Sequence, residues 1–198
     1  MVFSRLVSSA LVVLALAGAV SACTVPPPEP VYPQLTYGHL GTIRLDVAAV
    51  EIVEVYEPPL TPPNVEHEFP ITPAAAARRW FEDRLEAVGA AGLALAVVRE
   101  ASVVEVPLKK TTGLTGLVTK DQSERYDAKL VMEIEIRSAV GDRAAFVRAV
   151  ATRSRSVPED ITLNDREKVF FELTEALMND INAQLLNQIN QHLVKYLR

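Results

Sequence analysis

The sequence predicts an α+β domain of order β-α-β-β-β-α, with two helices packed on one face of a four-stranded, mainly antiparallel sheet. Three patterns carry that reading. Tyr126, Ala128, Leu130, Met132, Ile134 and Ile136 alternate with Arg125, Asp127, Lys129, Glu133, Glu135 and Arg137, as in a strand with one face on a core and one in water. Phe170, Leu173, Leu177, Ile181, Leu185, Ile189 and Leu193 recur every three or four positions, the period of one helix face. Proline-rich stretches separate the periodic segments instead of interrupting them.

The first residues read as a targeting segment. Met1 to Arg5 carries one positive charge, Arg5. Leu6 to Ala19 is an apolar run shorter than the roughly 20 residues that span a bilayer. Small residues follow, as a signal peptidase requires. The stretch Val20-Ser21-Ala22-Cys23 resembles the lipobox of bacterial lipoproteins. The resemblance implies cleavage between Ala22 and Cys23, a diacylglyceryl group on the Cys23 thiol, and acylation of the new amine. An ordinary secretory cleavage and a retained helix are the competing readings. Cys23 is the only cysteine, so it has no disulfide partner within the chain, and a free thiol in an oxidising compartment is a liability. Lipidation removes both problems. One acyl chain anchors only marginally, whereas two or three make the attachment effectively permanent. Thr24 follows where an aspartate often signals inner-membrane retention in Gram-negative lipoproteins, so the resemblance favours the outer membrane, on its periplasmic face.

Residues 1–22 are therefore read as signal peptide, 23–41 as lipidated cysteine plus tether, and 42–198 as one periplasmic domain. Pro26, Pro27, Pro28, Pro30 and Pro33 favour extended polyproline II in the tether, about 3.1 Å per residue, a reach of roughly 50 Å. Tyr32 and Tyr37 read as isolated linker aromatics. The formal net charge is −5, and loss of Arg5 makes the mature chain one unit more acidic. That balance argues against nucleic acid and against docking on anionic lipid by charge, since a nucleic-acid binder shows a basic patch.

The first strand starts at Thr42. Ile43, Leu45, Val47 and Ala49 alternate with polar or small residues, then the phase slips at Val50 and Ile52 to Val53 and Val55. A bulge near Ala48 to Val50 or burial on both faces explains the slip. Thr72 is a candidate N-cap with Pro73 at the first helical position, opening a helix over 74–88 with Trp80, Phe81, Leu85 and Val88 on one face and Gly89 as C-terminal cap. Strands follow at about 93–106, over Tyr126 to Ile136, and from Ala144 to about Arg155, the last two joined by a Gly141-Asp142 turn. The final helix spans about 164–196, capped by Asn164 with Glu167 or by Thr162 with Asp165.

No catalytic set is legible, and the chain reads as a non-enzyme with no cofactor and no metal. His39, His67 and His192 are scattered, and zinc catalysis needs about three protein ligands. Glu66-His67-Glu68 reads as an exposed polar loop in preference to a metal or acid–base site. The serines show no nucleophile elbow, and Gly113-Leu114-Thr115-Gly116 lacks the ending of a phosphate loop. Glu133 and Glu135 read as a solvated sheet face.

Three segments invite a contact role. The stretch 107–122 is far longer than a usual hairpin loop and holds Leu114, Leu117 and Val118 among Lys109, Lys110 and Lys120. The stiff loop 57–71 is either a recognition surface or a cover over the sheet edge. The last helix sets Leu186, Gln188 and Gln191 among other neutral amides, a composition suited to a protein interface. The candidate partner contacts are therefore Leu114, Leu117, Val118, Leu186, Gln188 and Gln191.

The element order, the Tyr126–Ile136 strand with its return strand, and the long last helix are similar to the LPS-assembly lipoprotein and to auxiliary lipoproteins of envelope transport systems. That likeness implies a non-enzymatic accessory or assembly factor that contacts the membrane through its lipid and binds an envelope protein. The alternative is a periplasmic carrier or sensor holding an apolar ligand between helices and sheet.

Overall fold

The computed structural model describes residues 31–109 and 122–198. Within them the helices are α1 (Pro73–Arg84) and α2 (Leu163–His192). The strands are β1 (Ile43–Leu45), β2 (Ala49–Glu54), β3 (Leu85–Ala87), β4 (Leu93–Pro107), β5 (Gln122–Arg137) and β6 (Arg143–Pro158). The main sheet runs β2-β4-β5-β6, parallel between β2 and β4 and antiparallel elsewhere. The α+β class and the mainly antiparallel four-stranded sheet stand as read. The smaller parallel sheet of β1 and β3 was not foreseen.

That small sheet corrects two boundaries. The phase slip is neither a bulge nor a doubly buried strand but a change of sheet. β1 pairs with β3, the chain turns at Asp46 to Ala48, and β2 joins β4. The turn is held by the Asp46 amide donating to the Tyr196 carbonyl at 2.8 Å. The first helix also stops at Arg84, before Leu85 and Val88. Leu85 is extended because long-range pairing with Ile43 outweighs the local preference for continuing the helix. Gly89 does not cap that helix. A Cβ there would lie 2.5 Å from the Asp46 carbonyl carbon and 2.6 Å from the Val47 nitrogen. Gly89→Ala must push two backbone segments apart, and overpacking of that kind costs about 1–3 kcal/mol. Urea unfolding is expected to show a lower midpoint with an unchanged slope.

One hydrophobic core lies between the sheet and the helices. Ala94, Ala96 and Val98 of β4, Leu130, Met132, Ile134 and Ile136 of β5, and Val147, Ala149 and Ala151 of β6 face Trp80 and Phe81 of α1 and Phe170, Leu177, Ile181 and Leu185 of α2. Small alanines on β4 and β6 let the helices approach the sheet. Trp80 is fully buried and its Nε1 donates to Asn182 Oδ1 at 3.1 Å, tying α1 to α2. Phe69 stacks on Phe170 with centroids 4.1 Å apart, and Tyr126 meets the same ring edge-on.

α2 begins one residue earlier than expected. Its N-cap is Thr162, whose Oγ1 accepts from the Asp165 amide at 3.1 Å and donates to Asp165 Oδ2 at 2.7 Å. It ends at His192, and a 3-10 turn over Val194–Tyr196 replaces the last turn read from the sequence. Gly141, at φ +93°, closes the β5–β6 turn.

The domain also starts before Thr42. Tyr32 stacks on Phe171, Leu35 packs on the core, and Tyr37 is buried with its amide donating to Asp83 Oδ2 at 2.7 Å. Residues 32–40 are thus a strap over the helical layer, and the two tyrosines are packing residues. Among the described residues no helix is long and apolar enough to cross a membrane.

Candidate interaction surface

The sheet face away from the helices carries the least ordinary chemistry of the domain. Pairing sets its rows. Val53, Val97, Glu133 and Arg148 stand side by side, Glu51, Leu95, Glu135 and Phe146 form the next row, and Val131 adjoins Val150. Val97 and Val131 are 8% and 0% exposed, yet neither belongs to the core cluster beneath the helices. They are shielded by the side chains around them.

Those neighbours are ion pairs. Arg99 Nε and Nη2 donate to Glu133 Oε2 at 3.0 and 2.8 Å, and Arg148 lies 3.6 Å from Oε1. Arg137 donates to Glu135 Oε1 at 2.7 Å, while Arg143 reaches Oε2 at 2.6 Å and lies over the Phe146 ring. The bond from Arg137 outweighs burial and, with Arg143, holds the Glu135 carboxyl below the usual carboxylate range. The expectation of a solvated carboxylate face is therefore corrected: both glutamates are buried under arginine stems. Four guanidinium groups converge on two carboxylates, and Glu51 and the Lys129–Glu100 pair stand on the same face. Spare N–H groups there fit a carboxylate or phosphate oxygen.

The sequence carried one signal for this surface. Val131 occupies an outward position of β5, between Lys129 and Glu133, and breaks the polar side of the alternation. On β4, residues 93–98 are apolar throughout, so Leu95 and Val97 do not stand out. The arginines left no such mark, because charged residues at outward positions are the ordinary case.

Loop 57–71 proves to be a cover over the sheet edge. β2 pairs with β4 only as far as Val98, and beyond it the loop takes over. Val65 donates to the Val103 carbonyl at 3.0 Å, and Glu105 donates to the Pro63 carbonyl at 2.8 Å. Glu66 is its pin, only 3% exposed. Its carboxylate accepts from Tyr56 Oη at 2.6 Å, the Val103 amide at 3.0 Å and Asn64 Nδ2 at 3.3 Å. Burial pushes the Glu66 pKa up, but these donors outweigh it and the net shift is downward. His67 and Glu68 are exposed as expected of a polar loop, but Glu66 is not: it is a buried structural carboxylate followed by two surface residues. His39 and His192 are exposed on separate elements. Among the described residues no group of three or more His, Cys, Asp or Glu is gathered to hold a metal.

The other sequence candidates separate. Leu186 is half-buried against the core, Gln188 is half-buried, and Gln191 is exposed and bonded to Asn187 at 2.9 Å. Gln184, one turn earlier, accepts from the Val150 amide at 3.2 Å and so occupies part of the open edge of β6. Leu114, Leu117 and Val118, like Ala22 and Cys23, lie outside the described residues. A cavity of about 160 Å³ lies between the strap and α2, lined by Leu35, Tyr37, Leu40, Glu175, Met178 and Asn182. It sits on the outer side of the helices, not between helices and sheet.

Fold and surface together define an α+β domain with one sheet face closed by helices and the other carrying valines among arginine–glutamate clamps. No protein-family model matches the chain, and no curated protein sequence matches it significantly.

Proposed function

We propose that the chain is a bacterial lipoprotein precursor. Its mature form is anchored through Cys23, on the periplasmic face of the outer membrane, and serves as a non-enzymatic accessory or assembly factor of a cell-envelope complex. The lone cysteine at the end of Val20-Ser21-Ala22-Cys23 supports the anchor. The single observation that carries partner binding is the apolar side chains left open on the helix-free sheet face: Val150, 39% exposed beside Val131, and the half-buried Leu95 and Phe146, all among arginines. Apolar side chains open to solvent inside a charged rim have the usual anatomy of an interface. The buried carboxylates that invite an enzymatic reading are instead committed to structural bonds: Glu66 to the loop, Glu133 and Glu135 to arginines.

The partner suited to this face presents an apolar centre with acidic or polar flanks. A photo-crosslinking side chain at Val150, 39% exposed beside Val131, is expected to give a discrete adduct with one envelope protein in intact cells. The same side chain at Val194, after the last helix, is expected to give none. No adduct at Val150, or equal adducts at both positions, contradicts the assignment.

A further inference from the structure

The place where the polypeptide joins the fold constrains how an anchored domain faces a bilayer. The Tyr32 hydroxyl donates to the Asn164 carbonyl at 3.4 Å, and its ring stacks on Phe171 at 5.3 Å. The chain therefore enters at the first turns of α2. Val31 and Leu163, the chain neighbours of that bonded pair, are 95% and 71% exposed. The ends of β4 and β6 and the start of β5 reach the same pole: the Leu108 amide donates to the Ser123 carbonyl, and Gln122 pairs with Pro158.

From Cys23 to Val31 the chain spans at most about 30 Å when fully extended. β5 and β6 each run 16 residues from this pole to the Gly141 turn, roughly 50 Å at strand rise. The link is too short to let the domain turn over and present that far turn to the surface from which it hangs. Charge selects the kind of surface. Among the described residues Glu124, Glu159, Asp160, Asp165 and Glu167 accompany Lys109, Arg166 and Lys168 at this pole, an acidic balance that suits zwitterionic headgroups better than anionic ones.

We infer that the pole carrying Val31 and Leu163 rests on a zwitterionic lipid surface, with these two apolar side chains among the headgroups. The inference rests on the lipid-anchor reading of Cys23. It leaves the valine–arginine sheet face, which runs along the long axis, free for a protein partner.

The test uses protein isolated from its native envelope with its lipid in place and reconstituted into phosphatidylcholine–phosphatidylethanolamine vesicles. A thiol-reactive fluorophore is placed on Leu163→Cys, or on Val140→Cys, which is 84% exposed at the far turn. Lipid blocks Cys23, so each variant offers one free thiol. With a quencher on the lipid headgroups, quenching at Leu163→Cys is expected to exceed that at Val140→Cys several-fold. Equal quenching at the two sites, or none at either, in protein that carries fatty acid overturns the orientation and leaves the anchor standing. Absence of fatty acid on the wild-type chain overturns both.

Discussion

Trp80→Ala is expected to lower the unfolding free energy by about 4 kcal/mol, within the 3–5 kcal/mol typical of large aromatic truncations in a core. Trp80 is fully buried, lies edge-on to Phe81 with centroids 5.7 Å apart, and carries the Arg84 guanidinium 5.5 Å from its ring centre. Truncation opens a cavity between the helices and removes one of two donors to Asn182 Oδ1. It also strips the aromatic cover from Arg84, which is 3% exposed and whose Nε has no hydrogen-bond partner. Trp80→Phe keeps most of the volume and loses the N–H bond, worth about 1 kcal/mol net, plus part of the ring contact. Urea unfolding of the two variants should therefore separate clearly, with Trp80→Ala much the weaker. Equal losses would mean that the hydrogen bond, not the packing, joins the helices.

Glu66→Ala is expected to cost about 3 kcal/mol, because it orphans a buried backbone N–H and removes a charged acceptor from Tyr56 and Asn64. The loss should be local in character. Amides near Val65, Val103 and Glu105 should exchange with solvent faster than the β5 centre, since the loop detaches from β4 before the core opens. The same carboxylate gives a pH dependence. Its folded pKa lies below its unfolded value, so the stabilisation is complete above about pH 4.3 and is lost as pH falls through the folded pKa. Glu66→Gln, which does not titrate, should show a shallower decline in stability below pH 4.3 than wild type. An unchanged acid limb would assign that limb to other groups.

The parts of the fold legible in the sequence are those set by local periodicity. β5, β6, α2 and the Thr72-Pro73 helix start follow from alternation, a 3.6-residue period and capping chemistry, all written within a few neighbouring residues. What escaped depends on distant partners. Leu85 to Ala87 leave the helix because Ile43 to Leu45 offer a strand edge, and no local window contains both. Tyr37 is a core residue because Asp83, on α1, accepts its amide. Gly89 looks like a cap until the nearby Asp46–Val47 backbone explains why a side chain cannot fit.

The candidate surface was legible in outline only. Val131 shows in the sequence as an apolar residue on a polar face, but its meaning needs Val97 from β4 and Val150 from β6 beside it. Glu133 and Glu135 looked solvated because their spacing says only that they share a face. Burial comes from Arg99, Arg143 and Arg148, reached from other strands. Glu66 stood out within Glu66-His67-Glu68 for the wrong neighbour: its partners are Tyr56 and the Val103 amide, not His67.

Everything proposed about location follows from one sulfur atom. Cells grown with a clickable fatty-acid analogue should label the wild-type chain and leave Cys23→Ser unlabelled, with the variant also keeping its uncleaved signal segment. Equal labelling of the two proteins, or an unlabelled wild type, would contradict the account.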